Sequence, residues 1–281
     1  MDGCSKAGIE ATLTKAERTA IKNRMAAEGL EICCIATSVR MADPDVAARE
    51  KHIADLHKYI DLAGDLGCTR LRTFGGPQRG RKGELAAAVN YTADGYLKCV
   101  EHAAKRGVTI LLETHDDWSN TPAVRAVIEK VNHPSLKCLW DVMHPQRMLE
   151  TVEESFAAIG HHTVHVHAHD GDYDPATGNL ANPAPDLGDG IFDHEGPWRL
   201  LTNIDYDGYF SIEVCVCARA RLSISPPMLR CLLPASDSKQ LSWSCMRQVI
   251  HAPGSDHDAD HVLKQYSEAF GKIRARVGAK L

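Results

Sequence analysis

Imidazoles dominate the run from His161 to Asp170, HHTVHVHAHD. As a strand it places His165, His167 and His169 on one face and Val164, Val166 and Ala168 on the other, because successive strand side chains alternate sides. Three imidazoles in register suit a face that converges on a metal or an anionic substrate. A His-rich solvated edge is the plainer alternative. Carboxylates occupy other strand-like ends: Glu113 closes VTILLE (108–113), Asp141 closes LKCLWD (136–141), and Glu213 lies near the end of GYFSIEV (208–214). With His167 they form a hard, oxygen-rich donor set suited to Mn²⁺ or Mg²⁺ and compatible with Co²⁺ or Zn²⁺. A structural zinc site would draw on Cys and His instead. One acid at a strand end also serves as a cap for the next helix, but such groups on four successive strand ends are poorly explained as caps.

The elements that must position these groups alternate without interruption. LEICCIAT (30–37) and TRLRTF (69–74) read as strands before VTILLE, and the His run follows LKCLWD. Helices separate them. The first opens on a capping box, Thr14 to Glu17, and ends near Gly29. In the second, Asp43 and Pro44 serve as N-cap and first residue, and Ile53, Leu56, Ile60 and Ala63 form the buried stripe before Gly67. The spacing then predicts one helix over Glu84 to Arg106, another opened by Thr121 and Pro122, another over Thr151 to Ile159, and a short one over Trp198 to Asn203. Repeated βα units with apolar strands imply a parallel sheet covered by helices, and the cadence fits a (β/α) barrel, in which every strand's C-terminal end opens on one face. Neither GxGxxG nor a Walker loop is present to favour an open nucleotide-binding sheet.

The bulk composition narrows the function classes. A chain of 281 residues with net charge -5 and no long basic run fits one domain, and it lacks the clustered Lys and Arg that a nucleic-acid surface needs. Its ten cysteines are scattered without a CxxC pair, and MDGCSKAG contains no apolar signal segment, so a reducing, cytoplasmic location is expected. No apolar run approaches the roughly 20 residues of a membrane span.

LRTFGG (71–76), LLETHDD (111–117), LWDVMHP (139–145), VHVHAHD (164–170), LGDG (187–190) and YDGYFSIEV (206–214) together resemble the xylose isomerase-like TIM barrel superfamily, in particular its sugar phosphate isomerases and epimerases. The resemblance implies a (β/α)8 barrel in which Glu113, Asp141, His167 and Glu213 hold one divalent cation. It also implies proton transfer by Glu113 and Glu213 across a small sugar, sugar phosphate or related hydroxy-keto compound, through a metal-stabilised enediolate. His144 is then a substrate contact and His115 a second one, with helix capping as the alternative for His115. Relatives acting on ketohexoses often have an arginine soon after the metal histidine; Tyr173 and Asp174 stand there, which argues against a ketohexose. His165 and His169 fall behind the ligands, with an exposed loop position as the alternative for His169, Trp118 either walls the sugar or covers core, and the Gly75–Gly76 turn either offers N–H groups to a phosphate or serves geometry alone. The competing functions are a phosphodiester hydrolase of the endonuclease IV type and a non-catalytic truncated barrel.

The chain departs from that pattern twice. Only six strands are evident, so the first strand, first helix and second strand of the family are expected to be missing upstream of residue 13, with GIEA (8–11) as a remnant of the second strand. An open barrel has reason to associate with another copy of itself, so a homo-oligomer is one expectation. Residues 215–248 shift in composition, with four of the ten cysteines, three prolines and one acid. Joining Val214 to Val249 would restore a continuous strand, loop and final helix. The expected organisation is therefore one domain, family-like over 13–214 and 249–277, interrupted by an irregular insertion. Cys215, Cys217, Cys231 and Cys245 lack zinc-knuckle spacing.

Overall fold

A computed structural model describes residues 11–27, 29–76, 84–168, 170–173, 176, 188, 190–216 and 248–251, with 212–216 and 248–251 given by their backbone. The expected N-terminal remnant, His169, most of the 215–248 insertion and the C-terminal helix lie outside the described residues. The strands are β1 (Ile35–Arg40), β2 (Arg70–Phe74), β3 (Thr109–Glu113), β4 (Leu136–Asp141), β5 (Thr163–Ala168), β6 (Tyr209–Val216) and β7 (Gln248–His251). They form one sheet in chain order with every neighbouring pair parallel. The connecting helices are α1 (Lys15–Ala27), α2 (Val46–Leu66), α3 (Leu85–Leu97), α4 (Val100–Lys105), α5 (Thr121–Val131), α6 (Met143–Arg147), α7 (Val152–Ile159) and α8 (Glu195–Thr202). None of these helices is long and apolar enough to cross a membrane.

Side chains that bridge distant strands show that the sheet curls. Arg70, at the start of β2, donates from Nε to the Val164 carbonyl on β5 at 3.2 Å and lies 4.4 Å over the Tyr209 ring on β6. In a flat sheet those strands would stand about 14 and 19 Å away. The Tyr209 hydroxyl in turn donates to Glu31 Oε1 at 2.6 Å, just ahead of β1. The fold is therefore a (β/α) barrel, open between β1 and β7 among the described residues. Inside it lie Cys33, Cys34, Leu111, Leu139 and Tyr209. A larger apolar layer, with Leu56, Ile60, Leu112, Val127 and Trp140 among its members, fills the space between sheet and helices.

Several expected boundaries move, each for a local reason. The N-cap of α2 is Asp45, which accepts the Ala48 N–H at 2.7 Å, while Asp43 accepts the Asp45 N–H at 2.9 Å. Pro44 therefore sits outside the helix rather than at its first position. The single helix expected over 84–106 is broken between Leu97 and Val100, where Lys98 and Cys99 donate to Gly95 and Tyr96, three residues back. Gly95, just before the break, packs directly on Met41, since a Cβ there would lie 2.5 Å from the Met41 sulfur. β1 begins at Ile35, opposite Leu71, because β2 supplies no partner for residues 30–34. Six strands were expected and seven are found. Gln248–His251 pairs parallel with β6, with Val249 opposite Val214 in register.

The turn after β2 uses glycine for geometry. A Cβ on Gly75 would fall 2.2 Å from the Trp118 ring, and Gly76 has φ +103. Gly75→Ala should destabilise the chain by about 1–3 kcal/mol through overpacking and lower its melting temperature by several degrees. An unchanged thermal melt would show that Trp118 is free to move.

Candidate functional site

Glu113 is the last residue of β3, Asp141 the last of β4, and His167 lies one residue before the end of β5. Parallel register brings them to one mouth: Glu113 pairs with Leu139, two residues below Asp141, and Asp141 pairs with His167. One ligand atom from each of the three lies within 4.8 Å of the other two. All three are buried, with exposures of 1%, 0% and 3%. His167 Nδ1 and Glu113 Oε1 are 2.8 Å apart, which makes the ring nitrogen the donor. Asp141 Oδ1 accepts the backbone N–H groups of Met143 (2.9 Å) and His144 (3.2 Å). It caps α6, and its other oxygen, Oδ2, lies 3.9 Å from His144 Nε2. Thr114 locks the neighbouring backbone, donating to the Asp141 carbonyl and accepting its N–H.

A wall of cations and rings runs along one side of this group. The Arg72 guanidinium lies 3.9 Å over the Phe74 ring, and its Nε is 3.4 Å from Glu113 Oε2. Phe74 meets His115 at 4.6 Å between centroids, and His115 meets His144 edge-on at 4.4 Å. Arg147 Nη1 is 3.4 Å from His144 Nδ1. Burial disfavours a charged His115, but the hydrogen bond with Asp116 and the carboxylates of Glu113, Asp116 and Asp141 outweigh it and raise its pKa. His115 stands at the edge of the site, with Nδ1 2.9 Å from Asp116 Oδ1. His165 sits one layer deeper, where burial and the nearby His167, Arg70 and Arg72 hold its pKa well below the usual imidazole value. It shares a 2.7 Å hydrogen bond with Ser211 and meets the His167 ring edge-on. Trp118 is fully buried against Gly75 and covers core rather than lining the mouth. Glu213 lies two residues beyond Ser211, the register partner of His167, at the same end of the sheet; its side chain is outside the described residues.

A sequence profile of the xylose isomerase-like TIM barrel matches residues 2–226. The chain belongs to that family. No curated protein sequence matches it. Among solved structures its fold is similar to L-ribulose 3-epimerase, with 18% identity, 93% of this chain and 81% of that one covered, and a TM-score of 0.68. It is also similar to a xylose isomerase-like TIM barrel protein from Mycobacterium smegmatis in complex with magnesium, with 24% identity, 73% of each chain covered and a TM-score of 0.57. A third is the IOLI protein with a binding zinc atom, with 16% identity, 70% of this chain and 72% of that one covered, and a TM-score of 0.61. At these identities the likeness is one of fold, and a barrel fold hosts many chemistries.

Two residues of this family member gain roles that sequence pattern did not assign. Arg72 stood only as a letter of LRTFGG. Asp170 stood only at the end of VHVHAHD, yet it organises the loop beyond β5. Its Oδ1 accepts the N–H groups of Gly171 (2.9 Å) and Phe192 (3.4 Å), and its Oδ2 those of Gly188 (2.8 Å) and Gly190 (3.1 Å). His194 Nε2 lies 3.3 Å from Oδ2. The spaced glycines of LGDG were the available signal. Burial pushes the Asp170 carboxyl up, but His194 and the N–H groups of Gly171 and Gly188 outweigh it and hold its pKa below the ordinary value. A depressed carboxylate stabilises the fold above its unfolded pKa, about 3.9, and loses that contribution as pH falls through the lower folded value. Asp170→Asn should therefore destabilise the chain at neutral pH by about 1–3 kcal/mol and lose less further stability than the parent between about pH 5 and pH 3. Urea melts at several pH values check this, and parallel acid limbs in the two chains would refute it.

Proposed function

We propose that the barrel mouth holds one divalent cation through Glu113, Asp141 and His167, with Glu213 as fourth ligand, and that the chain isomerises or epimerises a small hydroxy-keto compound such as a sugar or sugar phosphate. The convergence of two carboxylates and an imidazole, buried and within 4.8 Å of one another, supports this reading. The donor set is hard and oxygen-rich, which fits Mn²⁺ or Mg²⁺ and tolerates Co²⁺ or Zn²⁺. Likeness in fold to an epimerase and to magnesium- and zinc-containing structures agrees with it.

When bound, such an ion supplies Lewis-acid polarisation of a carbonyl oxygen. The protein's own groups supply the proton chemistry. Glu113 removes the proton from the carbon beside the carbonyl and holds it; in isomerisation Glu113 gives that proton to the neighbouring carbon, and in epimerisation Glu213, protonated at the start, gives its own proton to the opposite face of the same carbon. His115 and His144 donate to substrate oxygens and orient the reacting carbon. Leu111 and Leu139, two residues below Glu113 and Asp141 on the inner face, form an apolar floor that strengthens each charge above it. A phosphodiester hydrolase would need further metal ligands, and among the described residues Glu113, Asp141 and His167 are the one such group.

Two measurements test the proposal. Mn²⁺ at a hundred times its dissociation constant should stabilise the parent by about 2.7 kcal/mol in a thermal melt. Asp141→Asn should lose that increment while keeping its caps to Met143 and His144, because an amide oxygen accepts the same bonds. Absence of a cooperative melt would assign the ligands to an incomplete, inactive barrel. For the chemistry, the Mg²⁺-loaded chain should exchange a C–H proton next to the carbonyl of its substrate with deuterated water, and Glu113→Gln should slow that exchange about 10²- to 10⁴-fold. Undiminished exchange in Glu113→Gln removes it as the base.

A further inference from the structure

We propose that the compound taken by this mouth carries an acidic group, a carboxylate or a phosphate, and that Arg72 selects it. The proposal rests on the reading of the mouth as a substrate site and narrows the substrate class. Arg72 projects from the inner face of β2, opposite Leu111 in register, and is 3% exposed. A guanidinium offers five N–H donors in a planar fork. Here Nε and Nη1 are buried and make no hydrogen bond, and the 3.4 Å approach of Nε to Glu113 Oε2 lacks hydrogen-bond geometry. The guanidinium lies over the Phe74 face. Burying a guanidinium without hydrogen-bond partners is unfavourable, and a carboxylate or phosphate satisfies the fork two bonds at a time.

The surroundings agree with an arriving oxyanion. Phe74, half-buried, turns the Arg72 head toward the open end of the barrel, beside Glu113. Arg40, exposed at the end of β1, is the register partner of Phe74. Beyond Phe74 the wall continues through His115 and His144 to Arg147. The acids facing this wall are Glu113, Asp116 and Asp141. Asp116 is already held by His115 at 2.9 Å, and Glu113 and Asp141 belong to the metal group. Arg72 is thus the buried cation with unused donors next to the reacting position. If it served only as the counterion of Glu113, it would tune metal binding and leave substrate choice untouched.

The test uses the full Mn²⁺-loaded chain and three probes that share a hydroxy-keto unit: dihydroxyacetone, dihydroxyacetone phosphate and 3-hydroxypyruvate. Calorimetric titration gives the ratio of the neutral probe's Kd to that of each acidic probe. The bound cation itself attracts anions, so the share belonging to Arg72 is the part lost in Arg72→Met. One acidic probe should bind more tightly than dihydroxyacetone, identifying phosphate or carboxylate. Its ratio should fall about ten- to a hundredfold in Arg72→Met, whatever change in Mn²⁺ affinity follows from removing the cation beside Glu113. Arg72→Gln, which keeps a polar side chain without the charge, replaces Arg72→Met if the latter does not melt cooperatively. Equal binding of neutral and acidic probes by the parent, or no binding of either acidic probe, overturns the proposal. A ratio that survives substitution while Mn²⁺ affinity shifts also overturns it and leaves Arg72 as a counterion. If the parent fails to bind Mn²⁺, the metal reading falls on its own, and the same ratios measured without the ion still judge Arg72.

Discussion

The site depends on curvature. Glu113 and His167 belong to strands separated by β4, and their 2.8 Å hydrogen bond requires inward-facing side chains to converge as the sheet bends. At the opposite end of the barrel the same bend lets Arg70 reach the Val164 carbonyl and the Tyr209 ring. Between these two polar ends lie Cys33, Cys34, Leu111 and Leu139. Arg72, opposite Leu111, and His165, opposite Leu139, share that layer, so the apolar residues give the upper carboxylates little dielectric screening and leave few groups beneath to pair with them. Their charge must be answered from above or from the side, by a cation, by His167 or by Arg72.

Under the proposed reading, Asp141 serves scaffold and chemistry at once. A carboxylate at a strand end is commonly a helix cap, and Oδ1 does cap α6 through Met143 and His144. Capping and ligation do not compete, because the carboxylate has two oxygens. The cap fixes the start of α6, which places His144 beside His115, while Thr114 pins the Asp141 backbone to the strand next door. Each constraint removes freedom from a group at the mouth before any ligand arrives, which is what preorganisation requires. Glu150 does similar work for the scaffold alone, accepting from Asn120, Thr121 and Ser155 and so joining the starts of α5 and α7.

Sequence pattern revealed the site best where chemistry and period coincide. The residues closing β3 and β4 were evident because an acid ending an apolar strand has few reasons to be there. Alternation placed His165 and His167 on one face but said nothing of depth, and depth separates them: His165 pairs with Ser211 inside the barrel, whereas His167 reaches Glu113 at the mouth. The close packing of Gly95 on Met41 was hidden because Met41 is distant in sequence. Asp170 was hidden for the same reason, its partners lying up to twenty-four positions away at His194. The first strand began late because pairing is set by the partner strand rather than by the strand's own apolar run. Family membership follows from the whole match over residues 2–226, which no single motif could supply.

β1 adds a last consequence. Its burial alternates, with Ile35, Thr37 and Val39 buried and Ala36, Ser38 and Arg40 exposed. Ala36 is the register partner of Arg72, so the exposed half is the half that faces the barrel interior. In a closed barrel those positions would be packed by the side chains of further strands. Among the described residues the inner half of β1, beside β2, is left uncovered. Under the proposed reading, a charged compound approaching over β1 would meet Arg40 first and the Phe74 face next, before Arg72 and Glu113. Longer-range attraction therefore acts at the exposed residue, and the shorter-range, direction-dependent hydrogen bonds act at the buried one, where screening by salt is weakest.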